Sequence, residues 1–396
     1  MSGVTKHIYD SDIRDILSMW NTELKRIRST LPCQYTKEDI IQSLKTYFPH
    51  EWHSVEIKYI YYTQKDKHLK KRFGKARFNM QPAEQLLEKS KQYRIIMSSD
   101  FKENHRLKYS DTLRIEAQNS LLANRTPKIQ KVNNKIEMSK SRVQQVTPTY
   151  IDQLIGLYER KGTSQKDKCY ILAELKKYYS PRIIQFFFKL NDTELNKQLR
   201  QEAFYHLQNF SYQPRARKQK YMQVHTKNKK RRAYLKNTYP NEVFSIEHTP
   251  NELEYRIANS KEQGIKRYDF FISHSYKDGL LVQKLIQHEN SDGKDVFCDW
   301  INDSDYLKRH LLCEATLKVI EKRLEQSDAL LFVKSEFSMA SVWCRYELNY
   351  FNELGRPIYT ISAEDIEKGI FIKNIEQNAW FVDSNYKERV LLANTH

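Results

Sequence analysis

Four short, nearly continuous apolar runs, YDFFIS at 268–273, VFCDW at 296–300, DALLFV at 328–333 and PIYTI at 357–361, recur in the last third of this chain. Segments of helical spacing separate them, LLVQKLIQ at 280–287 and longer ones at about 311–326 and 341–354. Strands buried on both faces read as unbroken apolar runs, and strand–helix alternation at this spacing demands a parallel, doubly wound sheet. Ligands of such α/β sheets bind outside the carboxyl ends of the strands. That rule brings Ser273 and His274, then Asp299 and Trp300, then Lys334 and Ser335 to one edge, where Glu347 joins them from the helix after the third run.

The stretch SVWCRYEL, 341–348, sharpens the point. As a helix it places Trp343, Glu347 and Tyr350 on one stripe and Cys344, Leu348 and Phe351 on the next. The second stripe reads as core. The first sets a carboxylate beside an indole, which makes either an amphipathic helix edge or the wall of a pocket.

The 396 residues suffice for two or three domains, and 26 Tyr and 18 Phe supply apolar bulk that a disordered chain lacks. No run of about 18 apolar residues exists and MSGVTKHIYDSD has no apolar signal core, so a cytoplasmic protein without membrane insertion is expected. Cys33, Cys169, Cys298, Cys313 and Cys344 are odd in number and form no CxxC, which favours buried thiols over disulfides or a metal. Charge is divided unevenly. From Lys266 onward 17 Lys and Arg face 21 Asp and Glu, whereas the preceding residues carry a net charge of +22. An anionic partner is therefore expected for the first two thirds.

Residues 1–146 read as a basic, mainly helical region: Ile13, Ile16, Leu17, Trp20 and Leu24 fall at helical intervals, and Thr36 is placed to cap TKEDIIQSLKTYF, with Pro49 beyond its end. Within it, VEIKYIYYT (55–63) alternates and is rich in β-branched and aromatic residues, so a strand is expected there, and NRTPKIQKVNNKIEMSKSRVQQ (124–145) reads as a linker. Residues 147–240 hold four amphipathic segments, possible helix pairs of a HEAT-like domain, followed by a stripe at 215–236 with ten Lys or Arg and no acid. Its Arg215, Arg217, Lys229, Lys230, Arg231 and Arg232 could neutralise phosphates of a nucleic acid or other polyanion, or simply form a solvated basic face. A linker is expected at 241–265.

In the last third, YDFFISHSYKD, VFCDWINDSD and LLFVKSEFSMASVWCRYELNYF, in this order, resemble the boxes of Toll/interleukin-1 receptor (TIR) domains, most closely those of bacterial antiviral defence. The resemblance covers 266–396 and implies a flavodoxin-like TIR domain. Enzymatic members cleave NAD+ at the nicotinamide–ribose bond, giving ADP-ribose or a cyclic isomer, and their essential glutamate matches Glu347. NAD+ is then a substrate, with no cofactor and no metal expected. The resemblance points to Ser273, His274, Phe271, Trp300, Asp303, Ser335, Ser338 and Trp343 as substrate-binding residues. Ser335 and Ser338 also suit a turn or cap, and Asp278 a helix cap. The segment 300–310 corresponds to the BB loop, which in the family often packs on a neighbouring TIR domain, so a homo-oligomer activated by clustering through the N-terminal region is expected; it lacks the Gly and Pro of many relatives. A non-enzymatic TIR adaptor and a nucleic-acid sensor with an oligomerising TIR domain are the alternatives. No GxGxxG follows the first strand, which disfavours a hydride-transfer enzyme.

Overall fold

The computed structural model describes residues 4–216, 224, 226–307 and 313–393. It comprises two compact units, Met1–Glu137 with Ser211–Gln213, and Met138–Phe210 with Pro214–His396.

Helices build the described part of the first unit, among them Val4–Ile27, Lys37–Tyr47 and Pro49–Phe73. Thr36 caps the second of these through a reciprocal box with Asp39, and Pro49 lies beyond its end, both as expected, with Pro49 also opening the third. Trp20, Leu24, Leu44, Trp52 and Val55 form a common core, the two indoles 5.9 Å apart. The strand expected at 55–63 is helical. Trp52, Val55, Tyr59 and Tyr62 recur every three or four residues and face that core, and such burial overrides the β preference of an aromatic, β-branched run. The expected linker is helical as far as Lys140, within Asp111–Lys140 despite an internal Pro127. Its anchor is Arg125, buried against the Tyr47 carbonyl at 2.8 Å and the Glu51 carboxylate, with its guanidinium 4.3 Å from the Phe48 ring centroid.

In the second unit the four amphipathic segments are the helices Ile151–Glu159, Gln165–Leu175, Pro181–Thr193 and Lys197–Asn209, three of them capped by Ser164, Ser180 and Asn196. The same unit holds a five-stranded sheet, β1 (Tyr268–Ser273), β2 (Val296–Phe297), β3 (Ser327–Lys334), β4 (Ile358–Ser362) and β5 (Asn374–Ile375), in the order β2-β1-β3-β4-β5. The first four run parallel, and β5, two residues that carry no pattern of their own, is antiparallel. Phe271, Leu330 and Phe332 fill one face of the sheet; Ile272, Leu331 and Val333 fill the other. The expected α/β fold class, preceded by a mainly helical region, is the observed one.

Gln144, which the sequence places in a linker, closes the sheet's outer edge. Its side-chain oxygen accepts from the Val296 amide at 3.2 Å and its nitrogen donates to the Val296 carbonyl, so one amide stands in for a neighbouring strand. Replacing Gln144 with Ala leaves both backbone groups buried and unpaired. A loss of about 1–3 kcal/mol is expected, measurable by urea denaturation.

The expected linker 241–265 contains the helices Pro250–Asn259 and Lys261–Gly264. Gln263 within it and Lys266 just beyond it are fully buried. Among the described residues no helix is long and apolar enough to cross a membrane.

Candidate active site

Ser273 ends β1 and is fully buried, with its Cα paired in register to Phe332 of β3. Its hydroxyl donates to Glu347 Oε2 at 2.6 Å. The carboxylate arrives from the helix Val342–Glu353, capped by Ser341, whose Cys344, Leu348 and Phe351 are buried in the sheet core as their stripe predicts. Trp343 and Tyr350 of the other stripe are only partly buried. The helix thus hangs Glu347 from a fixed core face and holds it over the carboxyl end of β1.

Burial, reinforced by the negative charge of Asp299 and opposed by the Ser273 hydrogen bond, pushes Glu347 up from 4.5 to about 8. Removing the Ser273 hydroxyl therefore raises that value further. For Ser273→Ala, activity that needs the ionised carboxylate is expected to fall about tenfold or more near neutral pH, and its rising limb to move to higher pH, as a pH–rate series would show.

His274 follows Ser273, its side chain 7% exposed. Ring Nδ1 lies 3.2 Å from the Ile272 carbonyl and Nε2 lies 4.0 Å from Asp299 Oδ1. Asp299 and Trp300, 53% and 38% exposed, begin a short helix after β2 and stand at the mouth. Donor atoms of His274, Cys298 and Asp299 lie within 4.8 Å of one another. Burial lifts the Cys298 thiol well above its usual range, however, and it sits in the apolar cluster with Ile272 and Val296. Cys298 therefore reads as a core side chain, with His274 and Asp299 beside it at the ends of β1 and β2.

Other expected residues lie elsewhere. Phe271 is 2% exposed and stacks on Phe297 at 5.1 Å, inside the core. Ser335 and Ser338 form a reciprocal capping box, and the Ser335 hydroxyl donates to Asp278 Oδ2 at 2.6 Å. Asp278 precedes the helix Gly279–Ser291 but makes no capping bond to it. Asp303 departs furthest from its expected role. It is 1% exposed and receives Arg323 Nε at 2.8 Å and Lys177 at 3.4 Å, which leaves its carboxylate committed to two cations. Of the basic stripe, Arg217 lies outside the described residues; Lys229, Lys230, Arg231 and Arg232 form the start of a largely exposed helix, Lys229–Asn237, where Arg232 donates to the Thr226 carbonyl at 2.7 Å. Arg215 is partly buried, its carbonyl accepting from Asn191.

The network around Asp303 was not anticipated from sequence. Glu174 accepts from Lys177 at 2.8 Å, from Gln263 at 2.8 Å and from Lys266, while Arg323 also reaches Gln263 and Gln326 at 2.8 Å each. Its members are up to 152 residues apart, from Glu174 to Gln326, and no local pattern announces them.

Comparison with known proteins identifies relatives of the chain. A family model described as "Thoeris protein ThsB, TIR-like domain" matches residues 271–368. The chain is 34% identical over 369 residues, 93% of its length and 94% of the relative's, to a protein of Cytobacillus dafuensis named putative cyclic ADP-D-ribose synthase TIR2. It is 26% identical over 181 residues, 40% of this chain and 93% of the relative, to the probable 3' cyclic ADP-D-ribose synthase ThsB' of Bacillus cereus. Human Toll-like receptor 2 matches at 30% identity over 106 residues, 26% of this chain and 13% of the receptor. No solved structure matches the chain. An alignment at this identity along nearly the whole of both chains, with the ThsB-type domain at the sheet, settles kinship: the chain belongs to the TIR proteins of the bacterial Thoeris type.

Proposed function

We propose that the protein cleaves NAD+ at the nicotinamide–ribose bond, releasing nicotinamide and forming a cyclic isomer of ADP-ribose or ADP-ribose itself, as an antiviral TIR effector. Two of its relatives bear the name cyclic ADP-D-ribose synthase, which supports an enzyme over an adaptor. The single carrying observation is the Glu347 carboxylate held at 2.6 Å by Ser273 at the carboxyl end of β1.

Nicotinamide in NAD+ is a pyridinium and departs as a neutral base without a general acid. The barrier lies in the positive charge that develops on the ribose. A carboxylate beside the ribose hydroxyls interacts more strongly with that charge than with the ground state, which lowers the barrier. The same field favours ionisation of Glu347 when the cationic substrate enters, against the burial that holds it protonated in the free protein. Trp343, four residues before Glu347, offers an aromatic wall, and Trp300 a second ring at the rim. NAD+ is substrate here, not a resident cofactor.

Activation by clustering through the helical first unit is the reading that fits a TIR domain carried on a long basic region. The exposed Lys229 and Lys230 are the groups best placed to meet an anionic activator. Purified full-length protein, alone and with a clustering agent, is to be incubated with NAD+ and the products resolved by mass spectrometry. Nicotinamide with a cyclic product is expected; no turnover under any clustering condition refutes the proposal.

A further inference from the structure

The ribosyl cation left after nicotinamide departs must be captured. When a hydroxyl captures it, from water or from elsewhere on the same molecule, a proton has to leave that hydroxyl. Glu347 serves the cation, so a second group is needed for the proton. We propose that His274 Nε2 is the acceptor; this rests on the reading of Glu347 given above.

Three observations carry it. The Ile272 carbonyl only accepts hydrogen bonds, so at 3.2 Å it fixes the hydrogen of a neutral His274 ring on Nδ1 and leaves the Nε2 lone pair unprotonated. Nε2 is 4.0 Å from Asp299 Oδ1, too far for a hydrogen bond but close enough to stabilise the imidazolium that proton transfer creates. Finally, His274 adjoins Ser273, which holds Glu347, and Asp299 acts electrostatically on Glu347. The two acids and the imidazole therefore cluster at the carboxyl ends of β1 and β2. The titratable groups around them are Glu347 from the glutamate helix, Asp299 from the end of β2 and His274 from the end of β1, with the thiols of Cys344 and Cys298 buried in the core on either face of the sheet.

The step balances. The C–N bond to nicotinamide breaks with its electron pair going to the ring nitrogen, the hydroxyl oxygen forms a bond to the ribose C1 carbon, and the hydroxyl proton moves to Nε2. Solvent then recovers it from the imidazolium. Asp299 is a positioning residue, acting through the imidazole.

Capture by an added pyridine base provides the test, because a tertiary ring nitrogen attacks the same cation with no proton to lose. Full-length protein active on NAD+ is to be assayed with excess 3-acetylpyridine, and the ratio of exchanged dinucleotide to cyclic plus linear ADP-ribose measured. For His274→Gln that ratio is expected to rise about 10²-fold, the usual contribution of a general base. Asp299→Asn, at an exposed position that tolerates change, is expected to raise it several-fold and serves if the histidine variant fails to fold. A general loss of affinity or of fold lowers both routes together and leaves the ratio where it was. An unchanged ratio in the folded variants overturns the assignment of His274 and spares that of Glu347. A wild-type protein that releases no nicotinamide overturns both.

Discussion

Glu347→Gln is expected to reduce nicotinamide release by about 10³-fold while making the protein more stable above pH 8. The two effects share one cause. A carboxylate confined between Ser273, Cys344 and the end of β1 is costly to ionise, which is why its pKa stands at about 8 instead of 4.5. Because the folded-state value exceeds the unfolded one, the folded protein binds this proton more tightly. The contribution to stability is complete below about pH 4.5 and is lost progressively as pH rises through about 8. Gln keeps the shape and the hydrogen bond from Ser273 but never ionises, so its advantage over Glu grows with pH. Thermal unfolding at about pH 4.5 and about pH 9 should show little difference at the first and a Tm several degrees higher for the variant at the second. A structural glutamate on a helix edge predicts neither the loss of turnover nor this pH dependence.

Arg323→Ala is expected to cost about 3–5 kcal/mol, the penalty for leaving a buried charge without its partner. Arg323 is fully buried and donates to both oxygens of Asp303, at 2.8 and 3.3 Å, as well as to Gln263 and Gln326. Burial alone would raise Asp303; the guanidinium, with Lys177 and Lys266, outweighs it and holds the carboxyl below its ordinary range. Without Arg323 the acid must either protonate or recruit water. Asp303 lies at the root of the BB-loop segment, and its backbone carbonyl accepts from Tyr306 and Leu307 at 2.9 Å each. Proteolysis of that segment should therefore accelerate together with the stability loss. Chemical denaturation of the variant beside Arg323→Lys measures it, and unchanged stability would show that the network contributes nothing.

What could be read from the sequence depended on how local the governing interaction was. The position of Glu347 beside the end of β1 was legible because its helix shows its core stripe, Cys344, Leu348 and Phe351, within two turns and because the strand run ending at Ser273 is unbroken; its catalytic role came from the TIR resemblance alone. The four parallel strands were legible for the same reason. By contrast, Val55 and Tyr62 look like strand residues until Trp20 and its neighbours supply a core for them as a helix. Residues 124–145 look like a linker because neither the anchoring of Arg125 on Tyr47 and Glu51 nor that of Gln144 on Val296 leaves any periodic trace. Asp303 was placed in the crevice by its position in a motif, and its commitment to Arg323, 20 residues on, is visible only in three dimensions.

The ionised Glu347 is the centre of this account, and the pH dependence of kcat/KM for nicotinamide release tests it most directly, since that quantity reports groups titrating in the free enzyme. Measured from about pH 6 to about pH 9.5, it should rise on a limb near 8 that disappears in Glu347→Gln. A rate that falls across this range, or a limb that survives the substitution, would contradict the claim that the buried carboxylate acts as an anion.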